Sequence, residues 1–182
     1  MPEPVVSMIA HRLLRACVAP GLGLGLLCSL TPVRADVYDE VIRQLQTSQP
    51  MRAREQAEQH LRQHPQDPQM RLILAQVQDA QGRTSEALLT LEALAASFPE
   101  LPEVHNNLAV LYAREGRLDR ALLSLQNAVR TRPDYGVALE NLGDLHVQLA
   151  QQAYSRASQG APALRRLSLK LDLSRQILQP LP

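Results

Sequence analysis

PEVHNNLAVLYAREGRLDRALLSLQNAVRTRPDY, residues 102–135, decides the fold. Leu108 and Ala109 sit near the middle of a first helical segment, and Tyr112 follows one turn later. Gly116 interrupts the pattern and marks a turn. Ala121, Leu125 and Ala128 then recur at spacings of four and three, one face of a helix with 3.6 residues per turn. Pro133 closes the second segment. Small side chains at Ala109, Ala121 and Ala128 let two helices approach closely, and leucines fill the space that remains.

The same arrangement stands thirty-four residues earlier, in residues 68–101. Leu74-Ala75, Gly82, Ala87, Leu91 and Pro99 replace Leu108-Ala109, Gly116, Ala121, Leu125 and Pro133. Gln78 replaces Tyr112, and Leu94 replaces Ala128. Two consecutive units with small, large and proline positions at these offsets resemble the tetratricopeptide repeat, a helix–turn–helix of about 34 residues. The resemblance implies an all-α fold, a solenoid of stacked hairpins.

Fainter copies flank the central pair. In residues 36–67, Ala53 and Pro65 keep their places, and Ala57 falls on the large second-helix position. Thr47-Ser48-Gln49-Pro50 forms the turn, with Pro50 suited to the first position of a helix. The first helix, near Val37 to Leu45, lacks the Leu-Ala pair but keeps Val37, Val41 and Leu45 at a spacing of four. This is a degenerate, capping repeat. In residues 136–159, Asn141-Leu142-Gly143 matches the start of a unit, with Gly143 where Ala109 stood. No Gly, Pro or Asn then interrupts Asp144 to Gln159, yet Ala150, Tyr154 and Ala157 repeat the spacing of Ala121, Leu125 and Ala128. Loss of about five turn residues explains both facts. One continuous helix near Val137 to Ser158 is expected in place of a hairpin. Residues 160–182 begin with the break Gly160-Ala161-Pro162. Beyond it, Leu167, Leu169, Leu171 and Leu173 alternate like a strand, whereas Leu164, Leu167, Leu171 and Leu178 share a helix face. With no partner strand in the chain, a helix covering the open end of the stack is expected.

Composition agrees with packed helices. Of the 182 residues 45 % are hydrophobic and only 3 % aromatic, with no Trp and a single Phe, Phe98, so the core is Leu and Ala. The formal charge is +1, and the cations are Arg except Lys170. Such a balance leaves no electrostatic footprint for nucleic acid.

Residues 1–35 read as a secretory signal. His11, Arg12 and Arg15 precede an apolar run, Ala16 to Leu30, interrupted by Pro20, Gly21, Gly23 and Gly25. Val33 and Ala35 supply small residues for cleavage after Ala35. An uncleaved anchor is disfavoured, because the run falls short of the roughly 20 residues that span a bilayer. A periplasmic or secreted protein with no membrane association after cleavage is the expectation. Both cysteines, Cys17 and Cys28, lie in this leader. Leu27 before Cys28 departs from a lipid-attachment box. The processed chain then has no disulfide and no thiolate metal site. The two best repeats and the stretch DLHVQLAQQAYSRA, residues 144–157, also look like small exported repeat proteins of proteobacteria.

The resemblance implies a concave groove lined by first helices, with ligand contacts at set positions along each. Transferred to this chain, these include Gln69, Gln76 and Asp79; Glu103, Asn106, Asn107, Val110 and Arg114; and Asn141 and Asp144. Such a lining is rich in amides, which donate to and accept from an extended peptide. A family subtype that grips a carboxylate with cations is poorly matched, since Leu72 and Val137 stand where cations would be needed. Hydrogen bonding of Asn107 and Asn141 between neighbouring first helices is the favoured reading of those two amides. His60 and His64, four apart, are expected on a solvated surface, since no third ligand completes a metal motif. No phosphate loop, nucleophile elbow or paired-carboxylate signature is present. A non-catalytic protein without cofactor or metal is expected. Its partner is a protein or peptide or, through the Leu-rich tail, a second copy in a homo-oligomer.

Overall fold

The structure, a computed structural model, describes residues 37–160 and 165–179. The secretory signal expected in residues 1–35, with cleavage after Ala35, lies outside the described residues. The fold is an all-α, tetratricopeptide-like solenoid, and no strand occurs among the described residues. Helices α1 (Val37–Gln46) and α2 (Pro50–Gln63), α3 (Pro68–Ala80) and α4 (Thr84–Ser97), and α5 (Pro102–Arg114) and α6 (Leu118–Thr131) form three hairpins. Helix α7 (Gly136–Gly160) is continuous over 25 residues, and α8 (Arg165–Ile177) packs against it. No helix among the described residues is long and apolar enough to cross a membrane.

Local signals place these boundaries. Pro50, Pro68 and Pro102 open α2, α3 and α5, where a missing N–H costs no helical hydrogen bond. The second and third hairpins turn identically. Gly82 and Gly116 both take φ of 73°, and the next residue's amide reaches back to the helix, Arg83 to the Gln78 carbonyl at 2.9 Å and Arg117 to the Tyr112 carbonyl at 2.8 Å. In the first hairpin Ser48 occupies this left-handed conformation, at φ 57°.

Packing follows the repeat. Ala53, Ala57, Ala75, Ala87, Ala109, Ala121 and Ala128 are all buried, so the small positions do hold the close helix contacts. The core falls into two clusters. Val41, Ala53, Ala57, Met70, Ile73 and Val77 join the first hairpin to one side of α3. The larger cluster runs from Ala75 through α4, α5 and α6 to Ala138 and Leu145 of α7. Helix α3 therefore serves both clusters, one on each flank.

The register differs at α7. Gly143, matched to the buried Ala109, is exposed, and a Cβ built there meets nothing within 4 Å. With the turn deleted, no second helix among the described residues folds back onto that point. Helix α8 instead packs further along, with Leu167 and Ser174 buried and Lys170 Nζ 4.9 Å from the Tyr154 ring centre. Leu169, Leu173 and Ile177 remain 61 %, 50 % and 63 % exposed, and Leu173 and Ile177 border a shallow recess against His146, Val147, Ala150 and Tyr154 of α7.

Candidate functional site

First helices are the natural lining of the inner face of such a stack. Here α1 packs on α3 and α5 on α7, while α3 and α5 leave a gap. The gap is a depression of about 140 Å³ lined by Ala75, Gln76 and Asp79 of α3, Leu91 of α4, and Asn107, Val110 and Leu111 of α5. Four of the ten groove residues expected from sequence, Gln76, Asp79, Asn107 and Val110, come together at this point. Gln76 is exposed and Asn107 half-buried. Neither side chain has a hydrogen-bond partner among the described residues.

The other six serve differently. Asn106 is only 4 % exposed and accepts a 2.8 Å hydrogen bond from Asn141 Nδ2. The amide bridge between first helices therefore exists, but through Asn106 and not Asn107. The Arg114 guanidinium donates to Asp79 Oδ1. Both bonds join residues thirty-five apart, one more than the repeat period, because each hairpin is rotated on its predecessor and side chains lean toward the helix N-terminus. Glu103 is tied to Arg132 at 2.7 Å. Gln69 is exposed on the first turn of α3, outside the depression. Asp144 is half-buried on α7, and burial followed by the neighbouring Glu140 charge raises its pKa.

A polar centre at the first hairpin was not visible in the sequence. Asp67 caps α3 by accepting from the Gln69 and Met70 amides. It also accepts from the Tyr38 hydroxyl of α1 at 2.6 Å and lies 2.6 Å from His60 Nε2 of α2. His60 is thus not a solvated surface residue; its side chain is 15 % exposed, with the His64 ring centre 4.8 Å away. Burial alone would raise the Asp67 pKa, but the hydrogen bonds from Tyr38, Met70 and His60 outweigh it and hold the carboxyl below its usual range. Only the cap itself, Asp67-Pro68, carries a local sequence signal. No group of three metal-binding side chains occurs among the described residues. In the centre of the stack the Tyr112 hydroxyl of α5 donates to Glu92 of α4, and Arg117 lies 4.5 Å above its ring. Burial, with the adjacent Glu92, raises the Tyr112 pKa to about 12.

Repeat period, hairpin geometry and stacked core define a helical-repeat solenoid. A tetratricopeptide repeat profile matches residues 38–102 and 74–136, together more than half of the chain, and the chain belongs to that family. No curated protein matches it in sequence. Among solved structures it is similar to Naa15/Naa10 bound to HypK, at 20 % identity and TM-score 0.57, over 78 % of this chain but only 22 % of that one. A thermophilic tetratricopeptide protein of Thermus thermophilus aligns at 19 % identity and TM-score 0.59, over 81 % of this chain and 85 % of that one. The Yersinia enterocolitica type III secretion chaperone SycD, in complex with a peptide of the translocator YopD, aligns at 15 % identity and TM-score 0.51, over 79 % and 92 %. At these identities the likeness is one of fold.

Proposed function

We propose that this protein is an exported, non-catalytic scaffold that holds a protein or extended peptide against α3, α5 and α7. The observation that carries the reading is the α3–α5 depression, lined by the buried Leu91 and Leu111 and by the amides Gln76 and Asn107, which have no partner among the described residues. An apolar recess beside free amides suits one inserted side chain and the backbone that bears it. The fold's likeness to a chaperone solved with a bound peptide supports the same use. Recovery of partners from envelope extract, with wild type and a Gln76→Ala/Asn107→Ala variant as bait, tests it. Loss of a partner from the variant is expected; equal recovery of every partner removes the groove from the account. Export is tested separately by N-terminal sequencing of the protein from the cell envelope, which should begin at Asp36.

A second reading rests on a different observation. Leu169, Leu173 and Ile177 form an exposed apolar stripe on α8 at a spacing of four, a face able to pack on a second copy. Light scattering on the processed chain and on one ending at Ser158 separates the readings, since a monomer in both excludes assembly through the tail.

A further inference from the structure

The groove has an uneven charge balance. Its inner face carries Asp79, Glu103 and Arg114, and also Glu140 and Asp144 on α7. Asp79 is neutralised by Arg114 and Glu103 by Arg132. Glu140 and Asp144 have no ion pair or hydrogen bond among the described residues. They stand four apart, so both project from one side of α7. Asn141, between them on α7, donates to Asn106 of α5, the chain neighbour of Asn107 in the depression, so this stretch of α7 lies beside the α5 wall of the depression. The uncompensated charge of the groove is therefore negative and lies one helix beyond the apolar recess.

Resting on the groove reading above, we propose that the guest is a basic extended segment. One apolar side chain enters the recess between α3 and α5, and a Lys or Arg side chain further along the same segment reaches Glu140 and Asp144. Neighbouring helices pack about 8–10 Å apart, and an extended chain advances about 3.3 Å per residue. The cation therefore lies about three to five positions from the apolar residue. Gln76 and Asn107 hydrogen-bond the backbone between them. Asp144 supports this arrangement independently of its position. Burial and then the neighbouring Glu140 charge both disfavour its charged form, a cost that a guest cation relieves. An acidic guest, by contrast, would meet two carboxylates unpaired among the described residues, and the inner-face Arg114 is already engaged by Asp79.

Panning a random decapeptide library against the protein, purified as the cell processes it, tests the proposal. The expected enrichment is an apolar residue and a Lys or Arg at that spacing, in one chain direction throughout the enriched set. An enriched peptide, labelled for fluorescence anisotropy, should lose about tenfold or more in affinity against Glu140→Gln/Asp144→Asn. Replacing its cation by Gln should cost the same against wild type and nothing further against the double variant. Enriched peptides without a cation, or equal binding to the double variant, overturn the basic guest. Blocking variants judge the groove itself: Val110→Arg and the half-exposed Asn107→Arg, each checked for wild-type helicity by circular dichroism, should abolish binding. If they do so while the charge variants have no effect, the groove stands and the basic guest falls. If they leave binding intact, or if panning enriches nothing, both readings fall.

Discussion

Asp67 joins three helices with one carboxylate, since its partners come from α1, α2 and the first turn of α3. Asp67→Ala removes a cap and strands the Tyr38 and His60 bonds, so urea denaturation should report a loss of about 1–2 kcal/mol. The pH dependence has a definite sign. A depressed folded-state pKa gives stability that is present above the unfolded value and disappears as pH falls through the folded one. The gap between wild type and Asp67→Asn should therefore close in acid; a gap unchanged with pH would show that the bonds do not favour the charged form. Asp144 has the opposite sign. Its raised pKa makes the charged form a cost at neutral pH, relieved as pH falls toward the unfolded value. Asp144→Asn should raise stability by a few tenths of a kcal/mol while weakening the guest. Ser48, held at φ 57°, offers a gain without loss: Ser48→Gly relieves left-handed strain and should add about 0.5–1 kcal/mol by thermal melting.

Elements were legible in proportion to their local signals. The hairpins from Pro68 to Tyr135 could be read because each position repeats a constraint of packing: alanine where helices touch, glycine where φ is positive. The continuity of α7 followed from turn residues that are missing. Side-chain register across helices was less accessible, because a period of 34 does not reveal a contact offset of 35. That is why Asn106, and not Asn107, bridges to Asn141. The His60–Asp67 contact was hidden for a related reason, since it depends on where three helices meet. Alternating leucines in α8 were ambiguous because the helix carries leucine all round, Leu167 buried, Leu173 half-exposed at the edge of the α7 contact and Leu169 in solvent. Glycines test the element picture. Gly116→Ala should destabilise by about 1 kcal/mol, because its φ is positive. Gly143→Ala should instead stabilise α7 by about 0.5–1 kcal/mol, since the added methyl meets nothing.

Across the whole molecule, stability is arranged in series. The first cluster involves two hairpins, whereas the second extends through α7, and neighbouring units couple only across shared helices. Hydrogen exchange in rising urea should release α1 and α2 before α4 to α6, with α3 intermediate because it serves both clusters. Simultaneous release of all helices would contradict this order. The groove belongs to this scale too, because no single hairpin contains it: the recess needs α3, α4 and α5, and the carboxylates need α7.

The unbroken α7 also dictates how such a protein can grow. A duplicated hairpin inserted ahead of Gly136 would find the same flank that α7 covers now and pass the same flank onward. Joined after Gly160, it would meet a helix whose surface at Gly143 has no returning partner and whose far end is occupied by α8. Lengthening by gene duplication is thus easier ahead of α7 than after it, and among the described residues the hairpin stacking ends at α7.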